Sequence, residues 1–156
     1  MAKEKVKKSH EDYQSWLESL KEMNEEKANS PYAEGKWSPK EIVMHLAEWD
    51  RYTAEERLPH MKEGAKLDRF PDFETYNKQS SEKAKSHSFA ETVDYAKSQR
   101  QRLTEELDTF PESRWTEKFS IGDHFLSIED YFMDFAEHDA HHKKQVDSIQ
   151  ENSSKE

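Results

Sequence analysis

Three times in this chain a serine is followed three positions later by an acid, at the head of an apolar seam with helical spacing. The starts are Ser38-Pro39-Lys40-Glu41, Ser88 with Glu91, and Ser127-Ile128-Glu129-Asp130. In such a box the serine oxygen accepts from the backbone N–H three residues on, while the acid reaches back to the serine's own N–H. Each box satisfies amides that a helix start otherwise leaves without partners. Pro39 adds a preset φ at the first helical position. With only three glycines and five prolines among 156 residues, the chain has little material for the tight turns of a many-stranded β fold.

The seams place the helices. Tyr13, Trp16, Leu17, Leu20 and Met23 recur at three- and four-residue spacing and predict an amphipathic helix over about 9–26. Asn29-Ser30-Pro31 breaks it, and Gly35 allows a turn. From Ser38 to about Leu58 the stripe is Ile42, Leu46, Trp49 and Thr53, closed by Pro59. Between His60 and His87 the chain is polar and less regular, with a short helix expected around Phe73 to Lys85. A connection of this length in a small domain covers something.

The helix opened by Ser88 carries Phe89, Val93, Ala96, Leu103, Leu107 and Phe110 in its seam, with Arg100 in the same register, and Pro111 ends it. Trp115 to Phe125 holds the turn pair Gly122-Asp123 and reads as a loop or short hairpin. The final helix sets Ile128, Phe132, Phe135, Val146 and Ile149 on one side, and residues 151–156 are expected to form a disordered tail. Four long helices without an internal repeat predict an all-α, four-helix bundle formed as one domain over residues 1–150.

Composition narrows the function. Charged residues make up 37% of the chain and hydrophobic ones 32%, a balance that leans toward disorder. Four Trp, six Tyr and eight Phe offset it, since each ring buries a large area. The net charge of −10 argues against a phosphate-binding face for nucleic acid and against anionic membranes. Lys3, Lys5, Lys7 and Lys8 form a basic run, read as a solvated, frayed end. The absence of cysteine rules out disulfides, thiolate metal sites and a cysteine nucleophile. No apolar run suits a signal peptide or a membrane span, so a soluble cytoplasmic protein is expected. The aromatic content would suit a homodimer, though no segment marks an interface.

Three of the eight histidines fall within Asp134–Lys144. Residues four apart share a helical face, so His138 and His142 can aim at one point. His142 lies within the final seam, His138 about 60° to one side, and His141 about 120° away, which makes His141 the poor candidate. His45 flanks the stripe of the second helix. Together His45, His138 and His142 form a candidate metal site: three neutral imidazoles hold a divalent ion and leave positions open. The bland alternative is hydrogen-bonded core packing. His10, His60, His87 and His124 have no partner at useful spacing and read as surface residues; Trp37 and Trp49 read as core anchors. Glu56 lies about three turns beyond His45 on a similar face, as a supporting carboxylate or a solvated charge.

Lys36-Trp37-Ser38-Pro39-Lys40-Glu41-Ile42-Val43-Met44-His45-Leu46 resembles the second-helix signature of the DinB/YfiT-like superfamily, and His138 with His142 matches its second motif, His-x-x-x-His. The resemblance covers most of the chain. It implies an up-down-down-up arrangement of the four helices and a three-histidine site for Zn, Ni or a similar ion. It further implies a metal-dependent enzyme, foremost an S-transferase moving a small thiol of the bacillithiol type onto small electrophiles. A hydrolase of the same fold and a non-catalytic helical binding protein, its metal structural or absent, are the alternatives. Two further residues are candidates for the cosubstrate. Asn77 occupies the connection, where relatives often carry an asparagine near the pocket, against a turn or cap role. Arg100 could meet a carboxylate of the thiol, against an intramolecular salt bridge.

Overall fold

All three serine boxes close. Ser38 Oγ accepts from the Glu41 amide at 3.3 Å while Glu41 Oε1 accepts from the Ser38 amide at 3.1 Å. The same exchange joins Ser88 to Glu91 at 3.1 and 3.0 Å, and Ser127 to Asp130 at 3.0 and 3.3 Å. The structure, a computed structural model, describes residues 2–31, 37–68 and 73–154. Gly35, singled out above, lies outside the described residues.

In chain order the elements are α1 (Ala2–Leu20), α2 (Glu25–Ala28), α3 (Pro39–Tyr52), β1 (Lys66–Leu67), α4 (Phe73–Lys85), α5 (Phe89–Asp108), α6 (Glu112–Trp115), β2 (Lys118–Ile121), β3 (His124–Ser127) and α7 (Ile128–Ser154). The first helix starts earlier than its seam suggested. Val6, His10, Tyr13 and Leu17 form a buried stripe reaching into the basic run, and Lys3 Nζ donates to the Phe110 carbonyl at 2.8 Å. That run is therefore a helix turn packed on the bundle, not a frayed end. His10 is likewise buried, not on the surface: its Nδ1 pairs with Thr104 Oγ1 at 2.9 Å. At the other end α7 continues through residues 151–154, where no Gly or Pro interrupts it.

Beyond Tyr52 the second long helix widens into a π-helical turn, Thr53–Arg57, with the Leu58 amide bonded to the Thr53 carbonyl five residues back. A 3₁₀ turn, Leu58–His60, then ends it. The extra residue in a π turn rotates everything after it, so Glu56 does not continue the face of His45 and stands exposed.

Side-chain partners fix the helix directions. His10 meets Thr104 and Lys21 pairs with Asp94, so α1 and α5 are antiparallel. Trp16 donates to Asp147 while His10 lies against Phe135, so α1 and α7 are parallel. Lys40 reaches the His87 carbonyl and Arg100 reaches Asp50, so α3 and α5 are parallel too. The order is up-down-down-up. Two consecutive parallel helices need a return path, which α4 provides by running back along α3: Tyr76 bonds to the Glu48 carbonyl and Ser81 to Glu41.

A small sheet caps one end. Strand β1 pairs parallel with β2, and β2 pairs antiparallel with β3 through the hairpin Ile121–His124. Gly122, at φ 59, occupies the first central position, where a positive φ suits a tight two-residue hairpin turn.

The core has two apolar clusters, one around Trp16, Leu17, Leu20, Ile42, Leu46 and Phe89, the other around Leu103, Leu107, Trp115, Phe119, Phe132 and Phe135. A polar layer separates them along the chain of each helix. Arg100, 0% exposed, donates through Nε and Nη2 to Asp50 at 2.8 and 3.0 Å and through Nη1 and Nη2 to Asp139 at 2.8 and 2.9 Å. Its guanidinium also stacks 3.7 Å from the Tyr13 ring centroid. Burial pushes the Asp50 carboxyl up to about 7 against the opposing pull of Arg100. Among the described residues, no helix is long and apolar enough to cross a membrane.

Candidate metal centre and its cavity

His45 sits nearly two turns into α3, and His138 and His142 one turn apart on α7, which runs antiparallel against it. The helix pairing thus brings a pair at i,i+4 spacing opposite a single imidazole. One nitrogen from each of the three rings lies within 4.8 Å of the others. The Nε2 atoms of His138 and His142 face each other at 3.1 Å.

The donor set fits a divalent ion on several counts. His142 Nδ1 is 2.7 Å from Gln145 Oε1, so it carries the proton as donor and leaves Nε2 with its lone pair toward the cluster. Buried without hydrogen-bond partners are Nδ1 of His45 and Nδ1 of His138. Protonation is also disfavoured, which leaves the ligand form in place. Burial, then the neighbouring His142 and His138, push His45 down to about 3, with Asn77 pulling the other way. Burial and the adjacent His138 push His142 down to about 4, and burial lowers His138.

Trp37 packs on His45 at 5.0 Å between ring centroids, and Trp49 lies 6.5 Å from His138. Both tryptophans therefore shape the histidine cluster, beyond anchoring a core. His45 and His138 form part of the wall of a cavity of about 400 Å³, together with Trp49, Leu126, Tyr131 and Phe135. Ile121 and His124 of the hairpin and Asp134 of α7 complete it. The lining is dominated by aromatic and aliphatic groups with a few polar ones, the composition of a small-molecule site.

Of the other residues singled out from the sequence, Asn77 on α4 does lie at the cluster. Its side chain interacts with His45, and its Oδ1 is buried with no geometric hydrogen-bond partner. Arg100 does not line the cavity. Its guanidinium is enclosed between Asp50 and Asp139, the intramolecular alternative, placed in mid-bundle. His141 is exposed, as its helix angle requires, and His60 is exposed outside the site. His124, though exposed, contributes to the cavity mouth.

Tyr131 and Asp134 were missed. The available signal was position: Tyr131, Asp134, Phe135, His138 and His142 fall at i, i+3, i+4, i+7 and i+11 along one face of α7. Arg57 was also missed. It donates from Nη1 to the Tyr131 hydroxyl at 3.1 Å and so fixes one wall of the cavity.

Comparison with known proteins agrees with this geometry. The family model for the DinB superfamily matches residues 9–146. Among solved structures, YfiT from Bacillus subtilis, described as a probable metal-dependent hydrolase with an unusual four-helix bundle topology, matches with a TM-score of 0.80. The identity is 19%, and the match covers 97% of this chain and 87% of that one. At that identity the likeness speaks for the fold. No curated protein sequence matches. With its helix order, its histidine pair and a family match spanning nearly the whole bundle, the chain belongs to the DinB superfamily.

Proposed function

We propose that this protein is a metal-dependent enzyme of the cytoplasm, with Zn or Ni held by His45, His138 and His142, and that it transfers a small bacillithiol-type thiol to an electrophile. The observation that carries the reading is the convergence of three imidazoles, all disposed to stay neutral, two of which, His45 and His138, stand on the wall of a largely apolar cavity. A bound divalent ion supplies Lewis acidity, which makes a thiol or a water ionise near neutral pH.

The chain's own residues supply the rest. Gln145 holds His142 in one tautomer, and Trp37 packs against the His45 ring. Trp49, Leu126 and Phe135 exclude water from one side of the histidines and offer apolar contact to the body of an electrophile. The chain contains no cysteine, so the sulfur would come from the cosubstrate. Asn77, beside His45, is placed to donate its amide to a polar group of that cosubstrate.

Hydrolysis is the second reading. It is favoured by the description of YfiT and by Asp134, a carboxylate on the cavity wall that could accept a proton from water.

Elemental analysis of untagged protein tests the foundation. The parent should carry near-stoichiometric Zn, Ni or another first-row metal, and His45→Ala and His142→Ala should lose it while staying helical. A parent that cannot be loaded with any divalent ion defeats the proposal. Loaded protein assayed with thiols plus electrophiles, and separately with esters and amides, then decides between transfer and hydrolysis.

A further inference from the structure

Outside the histidine cavity, the chain buries a cation without a counter-ion. Arg51, Arg100, Arg102 and Arg114 each pair with a carboxylate. Arg57 has no such partner among the described residues, although it is only 6% exposed. One of its five N–H groups goes to the Tyr131 hydroxyl, and its Nε is buried with no acceptor. The guanidinium lies 5.3, 5.2 and 5.8 Å from the ring centroids of Trp49, Tyr52 and Tyr131. Those ring faces attract the charge, yet they accept none of its in-plane hydrogen bonds. A buried charge left in this state is expensive unless an acceptor completes it.

Arg57 lines a second cavity of about 500 Å³ between the π turn and β1. Its rim carries Lys62, Lys66 and His60, opposed by Glu56 and Asp68. With histidine neutral, three cations face two carboxylates there, a local excess of positive charge in a chain of net charge −10. The rim side chains are solvated; the buried Arg57 fork decides what can bind.

We propose that this cavity is a binding site for a small oxyanion, seated on the Arg57 guanidinium. The ligand class is a carboxylate or phosphoryl group, whose two oxygens match the arginine fork. It is separate from the histidine cavity, since the two share no lining residue, but Arg57 ties them through its bond to Tyr131.

The test is an NMR titration of the full-length, ¹⁵N-labelled protein with inorganic phosphate and, separately, with succinate, each at ionic strength held constant with sodium chloride. Saturable shifts should appear at the Arg57 Nε–H and at the amides of Arg57, Lys66 and Leu67. Tighter binding of phosphate assigns a phosphoryl group; tighter binding of succinate assigns a carboxylate. Arg57→Met should weaken binding about tenfold or more, as expected for loss of charge-assisted hydrogen bonds. Should that variant fail to fold, Arg57→Lys keeps the charge without the fork and should still bind more weakly than the parent. Absence of a saturable shift with either anion, or equal binding by a folded Arg57 variant, overturns the proposal. Metal content is read on the same samples, so failure here is distinct from failure of the metal centre.

Discussion

Replacing Arg100 with methionine would expose how the buried polar layer is held. The substitution keeps an unbranched chain of similar reach but leaves Asp50 and Asp139, both buried, without their shared guanidinium. Removing one partner of a buried pair costs about 3–5 kcal/mol. An independent bound comes from protonation. Burial already pushes the Asp50 carboxyl up, and loss of Arg100 pushes it further, so in the variant Asp50 takes up its proton readily. The remaining cost is that of protonating one carboxyl of ordinary reference value, about 3.9, which is about 4 kcal/mol at pH 7 and about 1.5 kcal/mol at pH 5. The sign follows: a carboxyl whose folded value rises loses stability as pH climbs toward that value. Arg100→Met should therefore be about 4 kcal/mol less stable than the parent at pH 7, with much of the deficit recovered at pH 5. Urea unfolding of both proteins with chelator present, followed by far-UV circular dichroism at the two pH values, measures the difference directly. A deficit below about 1 kcal/mol at pH 7, or one that does not shrink at pH 5, would refute the reasoning, because the carboxylates would then have found other compensation.

Gln145→Ala removes the acceptor that fixes the His142 tautomer, and metal affinity in a competition titration should fall about 10–100-fold with no loss of helicity. Burial, then Arg100, push His10 down to about 3, so the unfolded chain protonates this residue first as pH falls. Stability supplied by neutral His10 is whole above about 6.5 and declines below it, by on the order of 3 kcal/mol at pH 4. His10→Gln should flatten that part of the acid-unfolding curve relative to the parent; parallel curves would count against a buried neutral imidazole.

Much of the fold could be read from short-range chemistry. The serine boxes act within four residues, so Ser38, Ser88 and Ser127 announced their helices without knowledge of the rest. The α4 segment was equally visible, at Phe73–Lys85. The histidine cluster was visible because His138 and His142 already share a helical face and His45 flanks the stripe of the second helix, and the family resemblance strengthened that grouping. What stayed hidden depends on pairing at long range. Nothing in the local sequence tells Arg100 that Asp50 and Asp139 will enclose it. Val6 and His10 were masked by the lysines around them, although their spacing to Tyr13 continues the stripe. Glu56 was extrapolated along a straight helix, and the π turn at Thr53–Arg57 broke that geometry while turning Arg57 toward Tyr131.

The parallel course of α3 and α5 has a consequence for timing. Because α4, α5 and the small sheet all intervene between α3 and α7, the ligands of the histidine cluster are made far apart in time. A nascent chain exposes His45 on the ribosome long before His138 and His142 emerge, and contacts between such distant segments form late and slowly. Ion capture would then be a closing event of biogenesis. Once captured, the ion would span the first-made and last-made halves of the bundle, so its release and the undocking of α7 would share a kinetic barrier.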